Sequence, residues 1–414
     1  MSLPDKPLEP EQPYTSDRYA RLVLNLGRAL LNVGSPAHRL EAAMQIMAGR
    51  LGLTAQFFST PSSLFASLGD GENQQTFLAR AEPGSTNLFK LTELSQVMDD
   101  LAAGRLDPDT ADRRVLEIDA APPVYGPWLQ LVAYVLIAGG VTPMLGGGWR
   151  EALLAMPLGL TAGLIVWWLG QQVERARLIN PMVAAVTTFL GTLWCGFDTS
   201  TALMPAVLAA MIPLLPGMDL TTAARELSTG HVVSGSSRLA FTVTIFALLA
   251  FGLVLGGMGG QAVVGPVELV LPIETPLWLS TAGILAAAIG LMLLIQAPAR
   301  DAFWILCVTM LAWAGAQFGE WINAGVMGAF MGGLSIGLAG NLFVKLTARP
   351  SSILHVPGLI LLVPGSIGLR SLAVLLDQDV VTGLQTAILA GVIAVALTTG
   401  MVLASILMPP PSAL

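Results

Sequence analysis

The chain has 414 residues, 54% of them hydrophobic and 11% charged, with a mean hydropathy of +0.70. An average soluble domain carries about 25% charged residues, so this composition excludes an ordinary soluble enzyme and reads as an integral membrane protein. The net charge of −7 excludes a basic nucleic-acid-binding surface, and Cys195 and Cys307, far apart in apolar runs, offer neither a disulfide framework nor a metal-binding pair.

Charge divides the chain. Residues 1–123 hold 11 Lys/Arg and 16 Asp/Glu, leaving 9 and 11 for the rest, so a soluble domain is expected to precede a membrane domain. Residues 1–15 are acidic and proline-rich, without the basic and then apolar run of a secretory signal. They read as a disordered tail that leaves the next domain in the cytoplasm.

A small α+β domain is predicted over 16–123. Ala20, Val23, Leu24, Leu26, Leu30 and Leu31 recur near helical spacing up to Gly34. A second helix is expected from Ser35-Pro36, with Ser35 as N-cap and Pro36 at the first helical position. It runs through Leu40, Met44, Ile46 and Met47 to Gly52. The stretches LTAQFFST, SSLFASLG and TFLARAE read as strands separated by turns at Pro61-Ser62 and Gly69-Asp70-Gly71. Two polar helices follow, near Lys90–Ala103 and Asp107–Ile118, before Pro122-Pro123. Ser35, His38 and Glu41 share a helix face, but neighbours on one helix run side by side and do not converge on a substrate. A hydrolase built on Ser35 and His38 is the minor alternative; no Walker loop or GxGxxG motif is present.

Ten apolar stretches follow, where a spanning helix needs about 20 residues: Trp128–Met144, Ala152–Gly170, Met182–Phe197, Thr199–Leu215 and Leu239–Met258, then Leu277–Gln296, Ala302–Phe318, Ala324–Leu346, Ile353–Val363 and Leu384–Leu407. The third, fourth and ninth are short. Arg175, Arg177, Arg225, Arg238, Arg300, Lys345 and Arg349 would face the cytoplasm, against Arg150 and Arg370 outside, which predicts cytoplasmic N- and C-termini. Ala329, Gly333 and Gly337 make a small-residue face for close helix packing. Asn180-Pro181, Asp198, Glu320, Asn341 and His355 fall at or near span ends and read as solvated in preference to a proton relay; His231, in the first break segment, can titrate near neutrality, but its repeat counterpart is Asp379.

Pro216 to Gly235 aligns without gaps with Pro364 to Gly383, each segment lying between the fourth and fifth apolar stretch of its half. Two five-span units, 124–258 and 259–414, are therefore expected. An odd number of spans per unit inverts the second relative to the first, the inverted-repeat design of many secondary transporters. Proline and glycine stop a helix inside the membrane where loose backbone groups can line a polar cavity, and the amides of a restarting half-helix favour a carboxylate. The expected fold is thus a mainly α membrane protein: a small cytoplasmic α+β domain, then about ten transmembrane helices in two inverted repeats. The candidate substrate-binding residues are Pro216, Gly217, Asp219, Thr221, Thr222, Arg225, Glu226, Arg238, Pro364, Gly365, Ser366 and Arg370. Asp219 and Glu226 are the candidates for carrying a coupling proton. No metal, cofactor or catalytic residue is expected.

The segments LLNVGSPAHRLEAAMQIMAGRLGL, LLPGMDLTTAARELSTGHVVSGSSRLAF and RPSSILHVPGLILLVPGSIGLRSL resemble signatures of the threonine/serine exporter family. The matching positions are Gly34, Pro36, Arg39 and Glu41; Pro216, Gly217, Glu226, Leu227, Gly235 and Arg238; and Pro364, Gly365, Arg370 and Gly383. The resemblance covers nearly the whole chain in a fused two-unit form and implies a proton-driven exporter of small hydroxy amino acids in a bacterial-type inner membrane. Relatives that divide the two units between subunits are associated with dicarboxylates, so succinate is the alternative substrate. The expected partners are the small-molecule substrate, protons and the lipid bilayer. Association with further copies of the chain is left open.

Overall fold

The computed structural model describes residues 15–69, 74–80, 86–267, 275–321, 325–362 and 380–409. It is mostly helical, with one small sheet. The N-terminal unit comprises α1 (Thr15–Asn32), α2 (Ala37–Arg50), β1 (Ala55–Thr60), β2 (Ser63–Leu68), β3 (Gln75–Arg80), α3 (Leu88–Ala102) and α4 (Pro108–Ala120). The three strands form an antiparallel meander, with Phe58 opposite Phe65 and Phe65 opposite Leu78. Alternation along β2 turns Leu64, Ala66 and Leu68 inward, onto α1 and α2. Leu22, Leu26, Leu30, Leu40, Met44 and Leu94 fill the core.

Local chemistry sets the helix starts. Asn87 Oδ1 accepts the Lys90 N–H, and Asp107 Oδ1 accepts those of Asp109 and Thr110, so both helices begin on a side-chain cap. The start of α2 differs from the expectation. Pro36 is its N-cap, and Ser35 lies one residue too early to cap it. Gly34 takes a left-handed φ of 80°, which turns the chain sharply between α1 and α2.

The remaining helices are α5 (Pro127–Val141), α6 (Trp149–Leu169), α7 (Val173–Ala176), α8 (Ile179–Phe197), α9 (Leu203–Met211), α10 (Gly217–Ser228), α11 (Val232–Val264), α12 (Leu277–Leu294), α13 (Ala302–Trp321), α14 (Gly325–Thr347), α15 (Ser352–Leu362) and α16 (Val380–Leu407). Among the described residues, eight helices are long and apolar enough to cross a membrane, or nine if the bent pair Leu203–Leu214 and Gly217–Ser228 forms one span. Against the expected ten or so, the described residues thus give eight or nine, and the difference lies at the fourth and ninth stretches. The fourth is a short helix bent 58° from α10, and the ninth is α15, of 11 residues.

Small residues let backbones approach where helices pair. Gly140 of α5 faces Gly283 of α12, and Gly252 and Gly256 of α11 meet the carbonyls of Pro181 and Ala185 in α8. Gly333 and Gly337 of α14 lie against Leu397, Met401 and Ala404 of α16, so the small-residue face is a packing face. The third and fifth helices of each half thus pair closely: α8 with α11, and α14 with α16.

The N-terminal unit is joined to these helices by backbone bonds. Leu88 and Phe89 N–H donate to Ile295 and Gln296 carbonyls, each at 3.0 Å, and Leu88 is buried among Ile295, Ala297 and Ile305. Just after the unit, Tyr125 donates its O–H to the Ala297 carbonyl at 2.9 Å. Asn341 Nδ2 donates to the Met408 carbonyl, tying the end of α16 to α14.

Candidate functional site

The helix break at Pro216-Gly217 begins the site. Ile212–Leu214 tightens into a 3₁₀ turn, and Pro216, with no N–H to offer a preceding turn, leaves helical geometry at φ −80°, ψ 45°. Both Pro216 and Gly217 are buried. The chain restarts as α10, where Asp219 and Glu226 lie seven residues apart and so two turns along one face. Arg238 of α11 meets both: Nη1 donates to Asp219 Oδ1 at 2.8 Å, and Nε donates to Glu226 Oε2 at 3.2 Å. Side-chain exposure ranks them as Asp219 31%, Arg238 14% and Glu226 0%.

The other oxygen of Glu226 reaches the N-terminal unit. Oε1 accepts the Ala37 N–H at 3.0 Å, 189 residues away in sequence. A carboxylate from α10 therefore sits at the partly positive N-terminus of α2, the place that Ser35 was expected to serve.

A cavity of about 90 Å³ opens between α2, α10, α15 and α16. Thr221, Thr222, Arg225 and Arg238 line it together with His38, Arg39, Ser352, His355 and Thr398. Such a volume holds several waters or one small solute, since a single water needs roughly 10–15 Å³ on this measure. Among the described residues, the Arg225 guanidinium makes no hydrogen bond or ion pair. Among the described residues, Arg39 has only neutral partners: Nη1 donates to Ser352 Oγ at 2.6 Å, and Nη2 donates to Ser351 Oγ at 3.3 Å and to His355 Nδ1 at 3.1 Å. No Asp or Glu lines the cavity among the described residues. Burial, and then Arg225, lower Arg39 to about 10, so it stays cationic at neutral pH. Burial, then Arg225 and Arg39, push His38 down to about 3, which keeps its ring neutral.

The hydrolase alternative finds no geometric support. Neither His38 ring nitrogen has a hydrogen-bond partner, so the imidazole does not engage Ser35. Glu41 is turned away, its Oε1 accepting the Ser59 N–H and Oγ–H at 2.7 and 3.0 Å and its Oε2 lying 3.4 Å from His231 Nε2. Among the described residues, no group of three or more His, Cys, Asp or Glu could hold a metal ion.

The structure thus brings Thr221, Thr222, Arg225 and Arg238 to one cavity and sets Asp219 and Glu226 behind it, on Arg238. Pro364, Gly365, Ser366 and Arg370 lie outside the described residues. Sequence reasoning missed Ser351, Ser352 and Thr398 altogether, and read His355 as a solvated span end although it is 7% exposed. Arg39 appeared only as a motif position; the Gly34-Ser35-Pro36-Ala37-His38-Arg39 run was the one available signal for it.

Comparison with known proteins supplies the family. Residues 21–258 match the model described as "Putative threonine/serine exporter", and residues 280–407 match "Threonine/Serine exporter, ThrE". The chain is 26% identical over 379 residues to pheromone-regulated membrane protein 10 of Saccharomyces cerevisiae, covering 89% of this chain and 48% of that protein. The protein of the same name from Eremothecium gossypii is 24% identical over 367 residues, covering 85% and 48%, and that from Yarrowia lipolytica 23% over 366 residues, covering 84% and 30%. The chain spans about half the length, or less, of these relatives. No solved structure matches. The chain belongs to the threonine/serine exporter family, in a form that carries both units in one polypeptide.

Proposed function

We propose that this member of the threonine/serine exporter family is a secondary active exporter of small amino acids, threonine and serine, and that the cavity beside α10 is its substrate site. The observation that carries this reading is Arg225, whose guanidinium lines the cavity with no partner among the described residues. A substrate carboxylate answers it with two acceptor oxygens, the match that guanidinium favours. Thr221 and Thr222 supply hydroxyls beside it. Export is coupled to proton entry through Asp219, which is preferred to Glu226 on access. Asp219 is 31% exposed, whereas Glu226 is enclosed by its two donors. A proton on Asp219 weakens its hold on Arg238 and frees that arginine toward the cavity it lines.

The N-terminal unit, spanning about 16–123, is cytoplasmic in this reading, as are both termini, and the cavity is loaded from that side. The two membrane units, 124–258 and 259–414, are inverted copies; the close pairing of third and fifth helices in each half supports this. Single cysteines at Thr229 and Gln378, in a chain lacking Cys195 and Cys307, label from opposite sides of sealed cells if the repeat is inverted, and from the same side if it is not.

One observation favours a second reading, a dicarboxylate such as succinate. Asp219 and Glu226 are both engaged by Arg238, so no acid on the described cavity wall is left to receive an ammonium group, while two arginines are. The deciding experiment loads proteoliposomes with threonine, serine or succinate and imposes a proton gradient. Gradient-stimulated efflux of threonine or serine, uncoupled by Asp219→Asn, supports the amino-acid reading. Succinate efflux without threonine or serine efflux moves the assignment to the dicarboxylate.

A further inference from the structure

We propose that Arg39 is a substrate-binding residue: the N-terminal unit forms one wall of the transport site, and the substrate's carboxylate bridges Arg39 of α2 and Arg225 of α10. The proposal rests on the reading that this cavity is the substrate site, and deepens it by giving the N-terminal unit a direct part in recognition.

Three observations converge. First, Arg39 is a cation without a counter-charge among the described residues. Its donors go to two serine hydroxyls and an imidazole nitrogen, all neutral, although a half-buried guanidinium is best satisfied by a carboxylate. Second, Arg225 stands at the same cavity, also without a carboxylate, and near enough to act electrostatically on Arg39. Two like charges facing one small chamber repel, and the described wall holds no acid to offset them. An anion in the chamber relieves both at once. Third, Arg39 is one of several attachments of the unit. Docking is already provided by Ala37 N–H donating to Glu226 and by Leu88 and Phe89 N–H donating to Ile295 and Gln296 carbonyls. The serine hydroxyls then act as replaceable partners that hold the guanidinium in place until a carboxylate arrives. His38, neutral and with both ring nitrogens unpartnered, adds no competing charge.

The test is equilibrium binding by the purified full-length protein of threonine, serine and succinate, with threoninamide and succinamide as probes in which the carboxylates are replaced. Wild-type protein is expected to bind at least one of the acids and to bind its amide at least tenfold more weakly. Arg39→Gln is expected to weaken the acid at least tenfold while leaving hydrogen exchange at residues 88–89 unchanged, and Arg39→Lys, which keeps the charge but loses the fork, to fall between. The Ser351→Ala/Ser352→Ala double variant removes the hydroxyls that hold the guanidinium but not its charge, and is expected to weaken the acid less than Arg39→Gln does. Wild-type affinity in folded Arg39→Gln overturns the proposal. So does a double variant that loses binding and docking together with Arg39→Gln, which would make Arg39 a latch. Should Arg39→Gln fail to give monodisperse protein, Arg39→Lys decides, and wild-type affinity in it overturns the proposal. Failure of the wild type to bind any of the three acids is a different result: it removes the transport-site reading itself, and this inference with it.

Discussion

Replacing Glu226 by Gln should loosen α2 from the membrane helices without unfolding either. Glu226 is fully buried and uses both oxygens, Oε1 toward Ala37 N–H at 3.0 Å and Oε2 toward Arg238 Nε at 3.2 Å. Glutamine has one acceptor oxygen, so it can keep only one of these bonds and must point an amide N–H at the other donor. Arg238 retains Asp219 at 2.8 Å, which limits the damage on its side. The loss is therefore about one hydrogen bond to a charged group, roughly 1.5–3 kcal/mol, together with a weakened charge at the N-terminus of α2, worth about 0.3–1 kcal/mol. At about 1.4 kcal/mol per factor of ten, local opening of α2 should increase by roughly one to three orders of magnitude. Hydrogen exchange read on peptides from Ala37–Arg50 and from Leu88–Ala102 separates this from general instability. The first should exchange faster in Glu226→Gln and the second, held by Ile295 and Gln296, should not. Unchanged exchange in α2, or equal acceleration in both peptides, would refute the assignment of Glu226 as the cap of that helix.

Two further predictions concern other parts of the chain. A methyl group on Gly256 would overlap the Ala185 carbonyl of α8, whereas one on Gly391 would meet nothing within 4 Å. Gly256→Ala should therefore destabilise by about 1–3 kcal/mol and Gly391→Ala should be neutral or stabilising by up to about 1 kcal/mol, as read by thermal aggregation of the purified protein. His38, held at about 3 against an ordinary 6.5, binds fewer protons folded than unfolded, so its contribution falls as pH drops below 6.5 and continues to fall toward 3. The slope is about 1.4 kcal/mol per pH unit, so between pH 7 and pH 5 the wild type should lose about 2 kcal/mol more than His38→Gln. Equal pH dependence of the two melting curves would contradict the burial of a neutral ring.

Hydrophobic length and helix-breaking chemistry made most of the fold legible. Each of the ten apolar stretches contains a helix, and Pro216-Gly217 does break one. Helix α11 starts before its apolar run because Val232–Arg238 mixes serines and an arginine into its first turns, and Arg238 finds a partner in Glu226 of α10. Ser35 misled because a serine before Pro-Ala reads locally as a cap, while the real anion comes from Glu226 across 189 residues. The same limit applies to the site. Asp219, Arg225, Glu226 and Arg238 could be picked out as polar residues after a break. That Arg238 would engage both acids depended on how α10 folds back on α11, and that Arg39 would meet His355, 316 residues away, depended on how the N-terminal unit docks. No local pattern records either.

The central claim, that the cavity beside α10 carries the substrate and that Arg225 holds its carboxylate, is tested most directly by efflux from proteoliposomes containing wild type or Arg225→Gln, loaded with threonine or serine under an imposed proton gradient. The account predicts gradient-stimulated efflux by the wild type and its loss in Arg225→Gln, with the variant protein still monodisperse and its N-terminal unit still docked by hydrogen exchange. Wild-type efflux persisting in Arg225→Gln would contradict it.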